Sequence, residues 1–71
     1  MMDFSSALNS LKEGKYVHRL GWNGRNMCLF MVKDSDNRFA PFIAINMPND
    51  QLVPWVVSQT DIMANDWQIK E

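Results

Sequence analysis

The 71-residue sequence predicts an α+β fold: an N-terminal helix packed on a small, mainly antiparallel sheet, with a second short helix near the C-terminus. Three observations carry this expectation. Phe4, Ala7, Leu8 and Leu11 recur at i, i+3, i+4 and i+7, the stripe of an amphipathic helix. Apolar, alternating runs then follow, separated by clusters of Gly, Asn, Asp and Pro. Ser58, with Asp61 three residues on, opens a second helical start.

Taken in order, the first helix spans residues 4–13. Asp3 is suited to the N-cap because its carboxylate can accept from amides of the first turn. Gly14 is suited to the position beyond the C-cap, where a left-handed residue ends the helix, and Lys12 faces the negative end of the dipole. Tyr16–Leu20 alternates and reads as a strand, and Gly21–Gly24 reads as a turn whose glycines and Asn23 tolerate positive φ. Met27–Lys33 is strand-like and apolar on both faces, so both faces need a cover, one of which can be another subunit. After the polar turn at Asp34–Asn37, Phe39–Met47 reads as a long strand. It carries Phe39, Pro41, Ile43, Ile45 and Met47 on one side, with Pro41 restricted to an edge or the strand start. Leu52–Val57 is a further strand broken by Pro54, and Trp67–Lys70 closes the chain as a short strand or extended tail.

Size and composition bound the rest. The chain is one domain, residues 1–71, and one this short leaves a thin margin of stability from its core alone. The single cysteine, Cys28, rules out an intrachain disulfide, and His18 as the single histidine argues against structural zinc. Self-association is then the expected staple. A 46% hydrophobic fraction fits a folded domain, and three Trp with four Phe suggest an aromatic-lined pocket or interface. The net charge of −1 points away from a nucleic-acid polymer as partner, although residues 1–38 carry a net +2 and the remainder a net −3. With no basic leader, no apolar run of membrane length and a free cysteine, the expected compartment is the cytosol, away from membranes. No phosphate loop, dinucleotide fingerprint or serine elbow is present, and nothing in the spacing of Ser58, His18 and Asp61 argues for a triad. The chain is therefore expected to be no enzyme and to need no cofactor or metal.

Two segments stand out for binding. In Gly21-Trp22-Asn23-Gly24, Trp22 either folds back as a lid on the core or offers a flat face to a base or ribose, with Asn23 and loop amides meeting polar edges. In Pro54-Trp55-Val56-Val57-Ser58-Gln59-Thr60-Asp61, Trp55 precedes a helix start whose amides suit phosphate oxygens. Ordinary capping by Ser58 and Thr60, with Trp55 in the core, is the competing reading. Asp61 would repel phosphate and can only accept, from a ribose hydroxyl or an amide. Arg19 and Arg25 are the candidate phosphate cations. Asp66-Trp67 reads as structural, with Trp67 closing the core.

These segments, with Asp3-Phe4-Ser5, Leu11–Lys15, Met27–Phe30, Pro41-Phe42-Ile43 and Leu52-Val53-Pro54 in this order, resemble the phage-encoded Thoeris anti-defence two family over nearly the whole chain. The resemblance implies an anti-defence sponge in the host bacterial cytosol. Such a protein binds a cyclic ADP-ribose-type signal (glyco-cyclic ADP-ribose) without cleaving it and so keeps the Thoeris effector inactive. Some members also take cyclic oligonucleotides. It implies a homotetramer with pockets between neighbouring protomers, and, carried onto this chain, a pocket from Trp22, Asn23, Gly24, Met27, Phe30, Trp55, Ser58, Gln59, Thr60 and Asp61. Only Asp34–Arg38 separates the two long strands, so a pocket built on a longer insertion there would differ in size. The alternative reading is a phage accessory module for protein–protein contact with no small ligand.

Overall fold

The computed structural model describes residues 1–22 and 26–70. Among them the chain order is α1 (Phe4–Lys12), β1 (Val17–Arg19), β2 (Cys28–Val32), β3 (Phe42–Asn46), β4 (Leu52–Pro54), α2 (Gln59–Ile62) and β5 (Trp67–Ile69). The strands form one antiparallel sheet in the order β4-β3-β2-β1-β5. The α+β architecture is thus the one the sequence predicts, with β5 returning across α2 to pair with β1 at the far edge.

Both ends of α1 are capped by local chemistry. Asp3 Oδ1 accepts the Ser6 amide at 2.9 Å. At the other end Gly14 adopts φ +89°, while its N–H donates to the Leu11 carbonyl and that of Lys15 to the Ser10 carbonyl, both at 3.0 Å. That pair of bonds is the Schellman arrangement, which satisfies carbonyls the helix leaves open. Glu13 serves as the C-cap, so the helix ends one residue before the sequence expectation. The Phe4-Ala7-Leu8-Leu11 stripe faces the sheet. Ala7 and Leu11 are fully buried with Val17, Leu29 and Trp67, and Ile45 extends this core.

Strand boundaries are shorter than alternation predicts, each for a physical reason. The long strand expected from Phe39 starts at Phe42, because Pro41 has no N–H for the ladder and Arg38 is tied back to Asp34. Asp34 organises the β2–β3 connection: its oxygens accept the amides of Asp36 and Arg38 and the Arg38 guanidinium. Asn37 then turns the chain at φ +56°. β4 ends at Pro54, on the outer edge of the sheet, where a missing donor costs nothing. Gly21 does not use its freedom: the left-handed residues among those described are Gly14, Asn26, Asn37 and Asp50.

Alternation divides the sheet into two faces. Val17, Leu29, Ile45 and Trp67 face α1, with Met31, Ile43 and Val53 packed against that core. Phe30, Val32, Phe42, Ala44 and Leu52 fall on the other face, where Phe42 and Leu52 are exposed. β2 is therefore apolar on both sides, as its sequence predicts. No helix among the described residues is long and apolar enough to cross a membrane.

Two stability outcomes follow. Asp3→Ala should cost about 1 kcal/mol, which calorimetric melting should register as a fall of about 4–8 °C. The Arg38 guanidinium and the turn amides hold the Asp34 carboxyl below the usual carboxylate range. A group depressed on folding stabilises fully above its unfolded value, about 3.9, and loses that contribution as pH falls through its folded value. Denaturant titrations below about pH 4 should thus show a shallower acid loss for Asp34→Ala than for wild type.

Candidate functional site

Trp67 is the hub of the aromatic residues. It is fully buried, and its indole N–H donates to the Asp61 carbonyl at 3.0 Å, so the largest core side chain leaves no unpaired donor. Trp22 meets it edge-on with ring centres 5.4 Å apart, and Trp55 does so at 6.1 Å. Phe4 of α1 touches both Trp55 and Trp67, at 5.8 and 5.4 Å. Trp22 and Trp55 are each half-buried, one side on the core and the rest open. The two tryptophan motifs, 33 residues apart in the chain, are thus gathered around one buried ring.

Trp55 borders an open groove of about 620 Å³ between α1, β3 and the β4–α2 connection. Phe4 and Leu8 form one wall, Met31 and Ile43 the floor, and Pro54 and Trp55 the other wall. The groove exists because α1 packs on β1, β2 and β5, leaving β3 and β4 uncovered on the helix side. Its lining is almost wholly apolar, so on its own it can supply stacking and exclusion of water.

Ser58 is the N-cap of α2, as the sequence predicts; its hydroxyl accepts the Asp61 amide at 3.1 Å. Gln59 and Thr60 lie exposed in the first turn. The helix itself has four residues and little dipole to offer. Met27 is half-buried against the core on the same side as Trp22 and Trp55. Phe30 is separated from them: it stacks on Tyr16 on the opposite face of the sheet, with ring centres 5.4 Å apart and planes 18° from parallel. Asn23, Gly24 and Arg25 lie outside the described residues.

The charges are arranged differently from the sequence expectation. Arg19 reaches α2 and the segment after it, giving Nη1 to Asp61 Oδ1 at 2.8 Å and Nε to Asp66 Oδ1 at 2.7 Å. Its guanidinium, a candidate for phosphate, is engaged by two carboxylates of its own chain. Asp61, a candidate for ribose, likewise spends an oxygen on Arg19. Asp66, absent from the sequence-derived site, joins through the Gly21 amide, which donates to its Oδ2 at 3.1 Å. The Arg19 hydrogen bonds hold the Asp66 carboxyl below the usual range, and the two carboxylates push the Arg19 pKa upward. One signal for this cluster was available: alternation with Val17 puts Arg19 on the core side, where a cation needs partners.

Two groups that a nucleophile mechanism would draw on are engaged: Ser58 Oγ caps α2 and the Asp61 carboxylate is held by Arg19. The Cys28 thiol is buried, and burial pushes its pKa up.

The Thoeris anti-defense 2-like domain family matches residues 2–70. Thoeris anti-defense 2 of Bacillus phage SP01 is 39% identical over 84 aligned positions, covering 96% of this chain and 93% of the relative. Those positions outnumber the 71 residues here, so the relative carries residues that this chain lacks. By the match over nearly its full length and by this identity, the chain belongs to the Thoeris anti-defense 2-like family.

Proposed function

We propose that this chain is a sponge: it binds a cyclic ADP-ribose-type signal, glyco-cyclic ADP-ribose first among them, and holds it uncleaved in the cytosol of an infected bacterium. The Thoeris effector is thereby starved of its activator. The observation that carries this reading is the pair of half-open indoles, Trp22 and Trp55, each anchored on buried Trp67. Anchoring matters because an indole already fixed on one side stacks on a ligand without losing rotamer freedom at that moment.

The energetics are of the right order. A useful sponge needs nanomolar affinity, about −12 kcal/mol. Two aromatic stacks contribute about 1–3 kcal/mol each, and hydrogen bonds to charged groups about 1.5–3 kcal/mol each. Exposed Ser58, Gln59 and Thr60 supply neutral donors, and Arg25, three residues after Trp22 in the chain, is the proposed phosphate cation. Binding without turnover is favoured because Ser58, Asp61 and Cys28 are capped, ion-paired or buried.

Copies associate, in this reading, as a homotetramer with pockets between neighbours. The bare sheet face supports association: Val32, Phe42, Ala44 and Leu52 border a hollow of about 220 Å³, with Leu52 57% exposed. An apolar face of this kind in a 71-residue chain is a natural seam between subunits. Phe30, which lies on that face, can contribute to a pocket that a second copy completes.

Calorimetry with glyco-cyclic ADP-ribose should give nanomolar binding at a fixed stoichiometry, and heating the complex should release the ligand chemically unchanged. Trp22→Ala and Trp55→Ala should each weaken binding roughly 10- to 100-fold with the assembly retained. Consumption of many ligand equivalents per protein would replace the sponge by an enzyme. Retained affinity in both variants would remove the two indoles from the site, whereas loss of assembly in them with no ligand bound by wild type would favour a protein–protein module. Leu52→Glu should dissociate the assembly in light scattering; an unchanged mass would remove this sheet face from the interface.

A further inference from the structure

Arg19 ties together three segments that meet at the tryptophan hub. From β1 it bridges Asp61 in α2 and Asp66 just before β5, 42 and 47 residues away. Asp66 then passes the constraint to the turn that carries Trp22. Its Oδ2 accepts the Gly21 amide at 3.1 Å, and its backbone carbonyl accepts the Leu20 amide at 3.2 Å. The Trp22 amide closes the turn on the Arg19 carbonyl at 3.2 Å. Packing reinforces the bonding, since a Cβ on Gly21 would lie 3.4 Å from Asp66 Oδ2 and 3.7 Å from Arg19 Nη2. On the other side, Asp61 holds Ser58 through its amide and Trp67 through its carbonyl.

We infer that Arg19 is a positioning residue of the ligand site, fixing the Gly21-Trp22 turn relative to Ser58–Asp61 without itself grasping the ligand. The inference rests on the sponge reading for what the site binds. Its geometry stands on the bonds just described. The guanidinium suits the task because its planar fork sends donors in two directions at once, to two separate carboxylates. An ammonium is a point charge that can satisfy both only by compromise. Without a cation, Asp61 and Asp66 would face each other as like charges, and repulsion would part α2 from the Trp22 turn.

The test uses the full-length assembly, with Arg19→Gln and Arg19→Lys compared against wild type. Calorimetry with glyco-cyclic ADP-ribose should show at least a tenfold loss for Arg19→Gln, with part of it restored in Arg19→Lys. The helical circular-dichroism signal and oligomeric mass should be unchanged. Proton NMR of the free protein supplies a readout that general destabilisation would not move. The Gly21 amide shift should titrate with the Asp66 carboxyl, at a midpoint below about 3.9 in wild type and higher in Arg19→Gln. Should Arg19→Gln fail to fold, Asp66→Asn carries the test. It keeps an oxygen for Gly21 but removes the negative charge that Arg19 pairs with, and it should weaken binding about three- to tenfold while shifting the Gly21 amide. Wild-type affinity in Arg19→Gln, or in Asp66→Asn where that variant stands in, overturns the positioning role alone. No binding by wild type overturns the sponge reading and the ligand role of Arg19 with it, while the NMR arm still reports whether Arg19 holds the turn.

Discussion

One nine-residue helix cannot cover a five-stranded sheet, and most of what is distinctive in this protein descends from that mismatch. A helix is about 10 Å across, while five strands spaced about 4.8 Å apart span roughly 20 Å. α1 is placed over β1, β2 and β5, where its stripe seals Val17, Leu29 and Trp67. Two apolar regions remain without full cover: the helix-side groove along β3 and β4, and the hollow beside Val32, Phe42 and Leu52 on the opposite face of the sheet. For a chain with so little core to spare, exposed apolar area of this extent is costly unless something else covers it. Both open apolar regions are thus consequences of one geometric shortfall, and the proposed sponge assigns one to a ligand and the other to a second copy.

Trp67 makes the covered half work. Its ring fills the space where α1, β1 and β5 meet, and its one polar atom is satisfied by Asp61 rather than by solvent. Because the core is built around that ring, the neighbouring indoles have a fixed surface to lean on. Trp22 and Trp55 pack nearly perpendicular to Trp67 and are each half-buried, so part of each ring stays open. The alternative assignments for Trp22, lid or binding surface, are therefore compatible: one side of the ring serves the core while the other stays open.

What the sequence reveals and what it hides divide along the distance over which the information is stored. α1 was legible from end to end because its signals, Asp3, the apolar stripe and Gly14, lie within twelve residues. Ser58 as a cap was legible for the same reason. The paired segments are shorter than the apolar runs, since alternation extends to Phe39 before β3 and to Val57 after β4, where the ladder does not follow. The sheet order was not legible, because the pairing of β5 with β1 joins opposite ends of the chain. The site divides in the same way. Trp22 stands out in the sequence by its glycine-flanked turn and Trp55 by its place ahead of a helix start, whereas the facing of Phe30 depends on register and the partners of Arg19 lie more than forty residues away.

The charge distribution held a clue that composition alone could not resolve. A net +2 in residues 1–38 against a net −3 in the remainder suggests a basic patch awaiting a phosphorylated ligand. The fold turns part of that imbalance inward, since β1 and β5 are neighbours and the surplus cation Arg19 meets the surplus acids Asp61 and Asp66. Cations and acids that look like separate surface features in the sequence become one cross-link between the two chain ends. A cation already holding two carboxylates has little affinity left for phosphate, whereas the turn it secures keeps the aromatic surface in place. Charge that looked like recognition serves geometry here, holding α2 and the segment before β5 against β1.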